Sequence, residues 1–241
     1  MNRRSFLAMS AAGAVGLVQG ARRAFAQDEF PIPYGETRMA LSDDDRQGSV
    51  YVPKAYKHGS ARPMLVMLHG FSGTADRSRS LQPLAEERGI VLVSPESREI
   101  TWGQSSPGFD QDSSYINQAI RAVSGYLDID KTRVGIGGQS DGATYAFSMG
   151  LAFGDVFTHL MIFAEGIPIP YRKRGKPKIF IGHGVNDAQM PIDRTSRRFV
   201  PQLREEGYEI TYREHEGGHG TPIAIIREGF DWFSGTAPSK P

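Results

Sequence analysis

Apolar and polar positions alternate along this chain in blocks that switch between a period of two and a helical period. Residues 63–69, Pro63-Met64-Leu65-Val66-Met67-Leu68-His69, form a nearly unbroken apolar run, the signature of a strand covered on both faces. Residues 89–94, 132–137, 159–164 and 178–182 read as further strands, and residues 208–213 alternate with period two. Helical spacing falls between them, at 78–88, 112–127, 193–206 and 222–233. In the second of these, Ile116, Ile120, Val123 and Leu127 recur on one face, and Gly207 ends the third. Ahead of this series, residues 37–41 and 48–53 predict two antiparallel strands around the hydrated turn Asp43-Asp44-Asp45, after a proline-rich stretch at 27–35. Strand and helix alternating this regularly predict an α/β fold, a mostly parallel central sheet with helices on both faces. Ligands of such sheets bind beyond the carboxyl ends of the strands. The stretch between residues 164 and 178 is too short for a large lid, so an open mouth is expected there.

The first 26 residues do not fit this pattern. Arg3-Arg4, a short apolar run from Leu7 to Val18 and the small-x-small site Ala24-Phe25-Ala26 resemble a twin-arginine export signal. Ala8 and Asn2 depart from the usual motif, and a general secretory signal is the alternative; both predict an exported, periplasmic or secreted protein handled by the export machinery. The run is too short to serve as a stable membrane anchor. The domain organisation expected is therefore a signal at 1–26 and one catalytic domain at 27–241. The whole chain carries 28 basic and 27 acidic residues, and residues 1–26 hold four arginines and no acid. The remainder thus has 24 basic against 27 acidic residues, a formal charge of −3. Its apparent basicity belongs to the signal and gives no argument for nucleic-acid binding. With no cysteine anywhere, disulfides, thiol nucleophiles and thiolate metal sites are excluded.

Gly138-Gln139-Ser140-Asp141-Gly142 reads G-x-S-x-G between the strand pattern ending at Gly137 and the helical run 143–149. A serine on a sharp strand-to-helix turn needs small neighbours and has its hydroxyl lifted above the sheet. Serine is a poor nucleophile without a base and a group that orients the base. Asp187 stands in the loop after the strand at 178–182, and His219 in the loop after the strand at 208–213. Ser, Asp, His, each just past a strand, is the chain order of α/β-hydrolases. From the opening hairpin to the final helix the chain is similar to that superfamily, in particular to small bacterial esterases of the phospholipase/carboxylesterase, feruloyl esterase and polyhydroxybutyrate depolymerase-like groups.

The resemblance implies a serine hydrolase that cleaves carboxylic esters of small molecules through an acyl-enzyme. Ser140 would be the nucleophile, His219 the base and Asp187 the orienting acid, with Asp193 and Glu165 as other carboxylates in range. The amides of Asp141 and of Phe71, in His69-Gly70-Phe71-Ser72-Gly73, would form the oxyanion hole. Neither metal nor organic cofactor is implied. His69 and His183, each before a glycine at a strand end, are expected to orient loops, and His58 and His159 to occupy surface and packing positions. Trp102 could wall the substrate pocket or pin a long loop. Gln139 and Met190 are further substrate-contact candidates, and the basic stretch Arg172-Lys173-Arg174 with Lys176 is a solvated loop or an anion attractor. A hydrolase-like binding protein without catalysis is one alternative. A zinc peptidase is another, because His215-Glu216-Gly217-Gly218-His219 fits H-E-x-x-H. That motif works only on a helix, where two glycines would cost about 2 kcal/mol, and the residues before it alternate like a strand.

Overall fold

The computed structural model describes residues 32–41, 46–103 and 110–235. The expected signal at 1–26, most of the proline-rich stretch, the acidic turn at 43–45 and residues 104–109 lie outside the described residues. Among the described residues eight strands form one sheet: β1 (Gly35–Arg38), β2 (Ser49–Val52), β3 (Arg62–Leu68), β4 (Val91–Ser94), β5 (Ile129–Gln139), β6 (His159–Phe163), β7 (Lys178–Gly184) and β8 (Ile210–His215). Their order is β1-β2-β4-β3-β5-β6-β7-β8. The β1–β2 hairpin is antiparallel and joins β4 antiparallel; every other pairing is parallel. β5 therefore runs near the middle of the sheet, while β8 forms one edge.

Side chains of the central strands divide between the two faces with period two. Met64 and Val66 of β3, Leu160 and Ile162 of β6, and Ile179 and Ile181 of β7 enter one core. There they meet the helices α2 (Gln111–Tyr126), α3 (Asp141–Ala152) and α4 (Ser196–Glu205) through residues such as Ile116, Tyr145 and Phe199. Leu65, Met67, Met161, Phe163 and Phe180 point the other way. They pack on α1 (Gln82–Arg88) and α5 (Ile223–Ser234) through Leu84, Phe230 and Phe233. Both faces are apolar because both are covered, which is why the runs in the sequence are nearly continuous. α1 and α5 are tied by a buried ion pair, Arg88 to Asp231 at 2.6 Å, with side chains only 5% and 8% exposed.

Two expected helices are shorter than their patterns. Residues 75–81 form a 3₁₀ segment and α1 starts only at Gln82, with a proline in its first turn, where the missing N–H costs nothing. The pattern at 193–206 splits into a 3₁₀ turn, Ile192–Arg194, and α4. Thr195 breaks the run with φ −120° and ψ −107°, and its hydroxyl donates to the carbonyl of Pro191 at 3.1 Å. That break puts Ser196 at the head of α4, fully buried. The basic stretch is anchored by acids and an aromatic ring: Lys173 pairs with Glu206 at 2.7 Å and Arg174 with Asp155 at 2.8 Å, while Lys176 lies over the Tyr208 ring.

His159 sits edge-on to the rings of Trp232 and Phe233. Burial first, then the nearby Arg133 and Lys178, push its pKa down to about 4. Between about 6.5, the ordinary histidine value, and 4, the unfolded chain takes up a proton that the folded chain refuses, so this residue lowers stability as pH falls through that window. His159→Gln should make the loss of stability between pH 7 and pH 4.5 shallower than in the parent, as read by urea unfolding at the two pH values.

Candidate active site

Ser140 occupies the single residue between β5 and α3, at φ +57° and ψ −122°. A non-glycine residue with positive φ costs on the order of 1–3 kcal/mol and persists only where its surroundings over-determine it. Here they do. The Ser140 amide donates to the Phe163 carbonyl at 2.9 Å and its carbonyl accepts from the Thr144 amide at 2.9 Å and from the Thr144 hydroxyl at 3.1 Å. The two glycines of the motif are a matter of space. A Cβ on Gly138 would stand 2.7 Å from the Leu68 carbonyl oxygen, and one on Gly142 only 2.3 Å from that of His69. The start of α3 thus lies directly against the end of β3, and only glycine fits at both positions.

The loops after β7 and β8 bring the other two residues to the serine. His219 Nε2 lies 2.7 Å from Ser140 Oγ and its Nδ1 lies 2.7 Å from Asp187 Oδ2. These loops are stitched together: the amides of Val185 and Asn186 donate to the carbonyls of His215 and Gly217 at 2.9 and 3.0 Å, and the Asn186 side chain donates to the Glu216 carbonyl at 3.1 Å. Gln139, the neighbour of the serine, fixes the third side. Its Nε2 donates to the His219 carbonyl at 2.8 Å and its Oε1 accepts from the Thr221 hydroxyl at 3.2 Å. Asp187 is buried, and its Oδ1 accepts from the amides of Gln189 and Met190 at 2.9 and 2.8 Å. Burial favours its protonated form, but these amides and His219 outweigh that and hold its pKa below the usual carboxylate range.

The loop after β3 closes the near side. His69 Nε2 accepts from the Ser97 amide at 3.1 Å, which leaves the proton on Nδ1, directed at the Gly70 carbonyl at 2.8 Å. Burial lowers its pKa, with the Arg46 charge adding to the effect, so the neutral ring is a strut for the loop. Trp102 reinforces the same point. It is 1% exposed, its indole N–H donates to the His69 carbonyl at 2.8 Å, and it stacks on Tyr145. Of the two roles considered for Trp102, it pins the loop and does not line the cavity. Met190 does not line it either: its backbone serves Asp187 and His183. Gln139 does line it. Asp193 is exposed and paired with Arg197 at 2.9 Å, and the carboxylate on His219 Nδ1 is that of Asp187. His215 closes β8 and accepts from the Gly217 amide at 3.1 Å. The H-E-x-x-H segment is thus strand and loop, and its two imidazoles are not one helical turn apart.

Around Ser140 and His219 opens a cavity of about 490 Å³. Met67, Leu81, Phe163 and Ile226 give it an apolar side, Phe71 stands at its rim with 60% of its surface exposed, and Arg77 is the charged residue in its lining. The amide of Phe71 makes no hydrogen bond among the described residues, and that of Asp141 begins α3. The apolar wall could be foreseen as strand residues, but its opening beside the serine could not, because Leu81 and Ile226 come from helices far apart in the chain.

No protein-family model and no curated protein matches the sequence. Solved structures do resemble the fold. Fluorophosphonate-binding serine hydrolase F of Staphylococcus aureus superposes with a TM-score of 0.65 at 15% identity, over 84% of this chain and 98% of that one. Acetyl xylan esterase from Aspergillus awamori gives 0.66 at 14%, over 84% and 100%. Thermogutta terrifontis esterase 2, phosphoramylated by tabun, gives 0.66 at 17%, over 85% and 94%. Gly142→Ala should cost about 3 kcal/mol or more, beyond the usual overpacking range because the clash is with backbone; a lowered urea midpoint with unchanged slope would register it. Together with the mostly parallel sheet, these likenesses show that the chain has the α/β-hydrolase fold.

Proposed function

We propose that this chain is an exported serine esterase acting on small carboxylic esters. The observation that carries the reading is the unbroken hydrogen-bonded series Ser140–His219–Asp187 at the wall of an open cavity. In this mechanism Ser140 Oγ attacks the ester carbonyl while His219 Nε2 takes its proton, and Asp187 steadies the imidazolium that forms. The negative charge on the carbonyl oxygen is met by the amides of Phe71 and Asp141, a stabilisation of roughly 3–4 kcal/mol per donor. His219 then protonates the departing alcohol, leaving an acyl group on Ser140. Water, deprotonated by His219, attacks that acyl carbon; the acid is released and Ser140 regains its proton. The names of the similar structures, a serine hydrolase and two esterases, support the same chemistry. Export rests on the signal-like first 26 residues.

The cavity also suggests a preference. Arg77 forms no ion pair among the described residues, whereas nearby Arg79 is matched by Glu36 and Asp76 at 3.0 and 3.1 Å. An ester whose acyl chain ends in a carboxylate would complement that charge. The expected gain in kcat/KM over the neutral ester of equal length is up to about fivefold, the reach of an exposed ion pair, and Arg77→Gln should reduce the ratio. The defining test is hydrolysis of p-nitrophenyl butyrate by the purified protein. Ser140→Ala should lower kcat by at least about 10³-fold and abolish labelling by a fluorophosphonate. Hydrolysis that survives Ser140→Ala but is lost on chelation would replace this mechanism with a metal-dependent one, and absence of turnover and labelling in the parent would favour a binding protein.

A further inference from the structure

Behind the triad lies a second carboxylate–imidazole pair, wholly enclosed. Glu165 follows β6, His183 lies in β7, and both side chains are 0% exposed. His183 Nε2 is 2.8 Å from the Met190 carbonyl and 3.3 Å from Asp187 Oδ2. A carbonyl and an ionised carboxylate only accept, so Nε2 must carry a proton. His183 Nδ1 is 2.7 Å from Ser196 Oγ and 3.3 Å from Glu165 Oε2. The Ser196 hydroxyl donates its proton to Glu165 Oε1, so toward the imidazole its oxygen is an acceptor. Both ring nitrogens therefore face acceptors. Among the described residues Glu165 Oε2 has no hydrogen bond of its own, and an enclosed carboxylate is costly unless a positive charge stands beside it.

We propose that His183 is a buried imidazolium bridging Glu165 to Asp187, and that this pair is a positioning element that keeps Asp187 ionised and turned toward His219. Its catalytic consequence rests on the serine-esterase reading; its protonation state does not. Burial works against the charged ring, but Glu165, the Met190 carbonyl and Asp187 outweigh it and raise the His183 pKa above the usual histidine range. The other groups toward this ring come from β8. Tyr212 donates to Glu214 at 2.9 Å, Glu214 is neutralised by Arg197 of α4 at 2.6 Å, and His215 is kept toward its neutral form, by burial first and then by His183. The sharing of one proton chain has an electrostatic effect on the triad. A cation on the far side of Asp187 opposes a second positive charge at His219.

Long-range ¹H–¹⁵N correlation spectra of the purified protein at pH 7.5 test the assignment directly. Both ring nitrogens of His183 should show the protonated, pyrrole-type signature at a pH where a free histidine has lost its charge. An unprotonated, pyridine-type nitrogen on His183 would overturn the proposal. Glu165→Gln keeps the shape and removes the anion. It should take one proton from His183 and move the acid limb of the kcat/KM profile for p-nitrophenyl butyrate up by about one pH unit, the size a neighbouring charge confers. Glu165→Asp should return part of that shift. An equal loss of kcat/KM at every pH, with the limb unmoved, would leave a purely structural role and sink the positioning role. Should Glu165→Gln fail to fold, the parent spectra still decide. The same spectra on Ser140→Ala separate the two readings, since the His183 signature should persist there whatever happens to hydrolysis.

Discussion

The contact between the start of α3 and the end of β3 governs the geometry of everything around it. Main chain meets main chain where Gly142 lies against the carbonyls of Leu68 and His69, with no side chain between them. That approach forces the sharp reversal at Ser140 and its positive φ. It also places the loop that follows β3 beside the serine hydroxyl. The His69 carbonyl pressed by Gly142 is the one held by the Trp102 indole, and Trp102 in turn rests on Tyr145 of α3. Turn, loop and helix form one closed circuit, so the strain at Ser140 is shared by a packed core rather than borne by a flexible loop.

Much of this architecture is legible in the sequence, for a physical reason. Strands buried on both faces must be apolar at every position, and residues 63–69, 159–164 and 178–182 announce themselves that way. The candidate site is legible because its three residues sit where such strands end, and because Gly138 and Gly142 have no substitute that fits. Element boundaries are less legible. Neither the 3₁₀ segment before α1 nor the break at Thr195 alters apolar spacing enough to show in the pattern. Trp102 could have been a pocket wall or a loop pin, and only its carbonyl partner decides between them. Contacts that join distant segments have no sequence signature at all. Glu165 to Ser196 spans 31 positions, and the one local hint was the four-residue spacing of His183 and Asp187.

With no cysteine in the chain, cohesion rests on packing and on a few enclosed polar contacts. The Arg88–Asp231 pair fastens α1 to α5 across one face, while Ser196, at the head of α4, reaches the carboxylate beyond β6 on the other. Removing one partner from such a contact leaves a buried charge or dipole unmatched, at a cost of about 3–5 kcal/mol for a buried ion pair.

The order of the strands has a consequence for how the site was assembled and how it could come apart. Ser140 ends a strand near the middle of the sheet, flanked on both sides, whereas His219 is carried by the loop after β8, at the margin. A margin is held from one side only and frays before the centre does. Ser140 and His219 therefore belong to regions of unequal permanence. Gln139 and Asn186 are side-chain clasps that supplement the main-chain bonds between these loops, and loosening them would free His219 to drift while Ser140 stayed where the packed centre holds it.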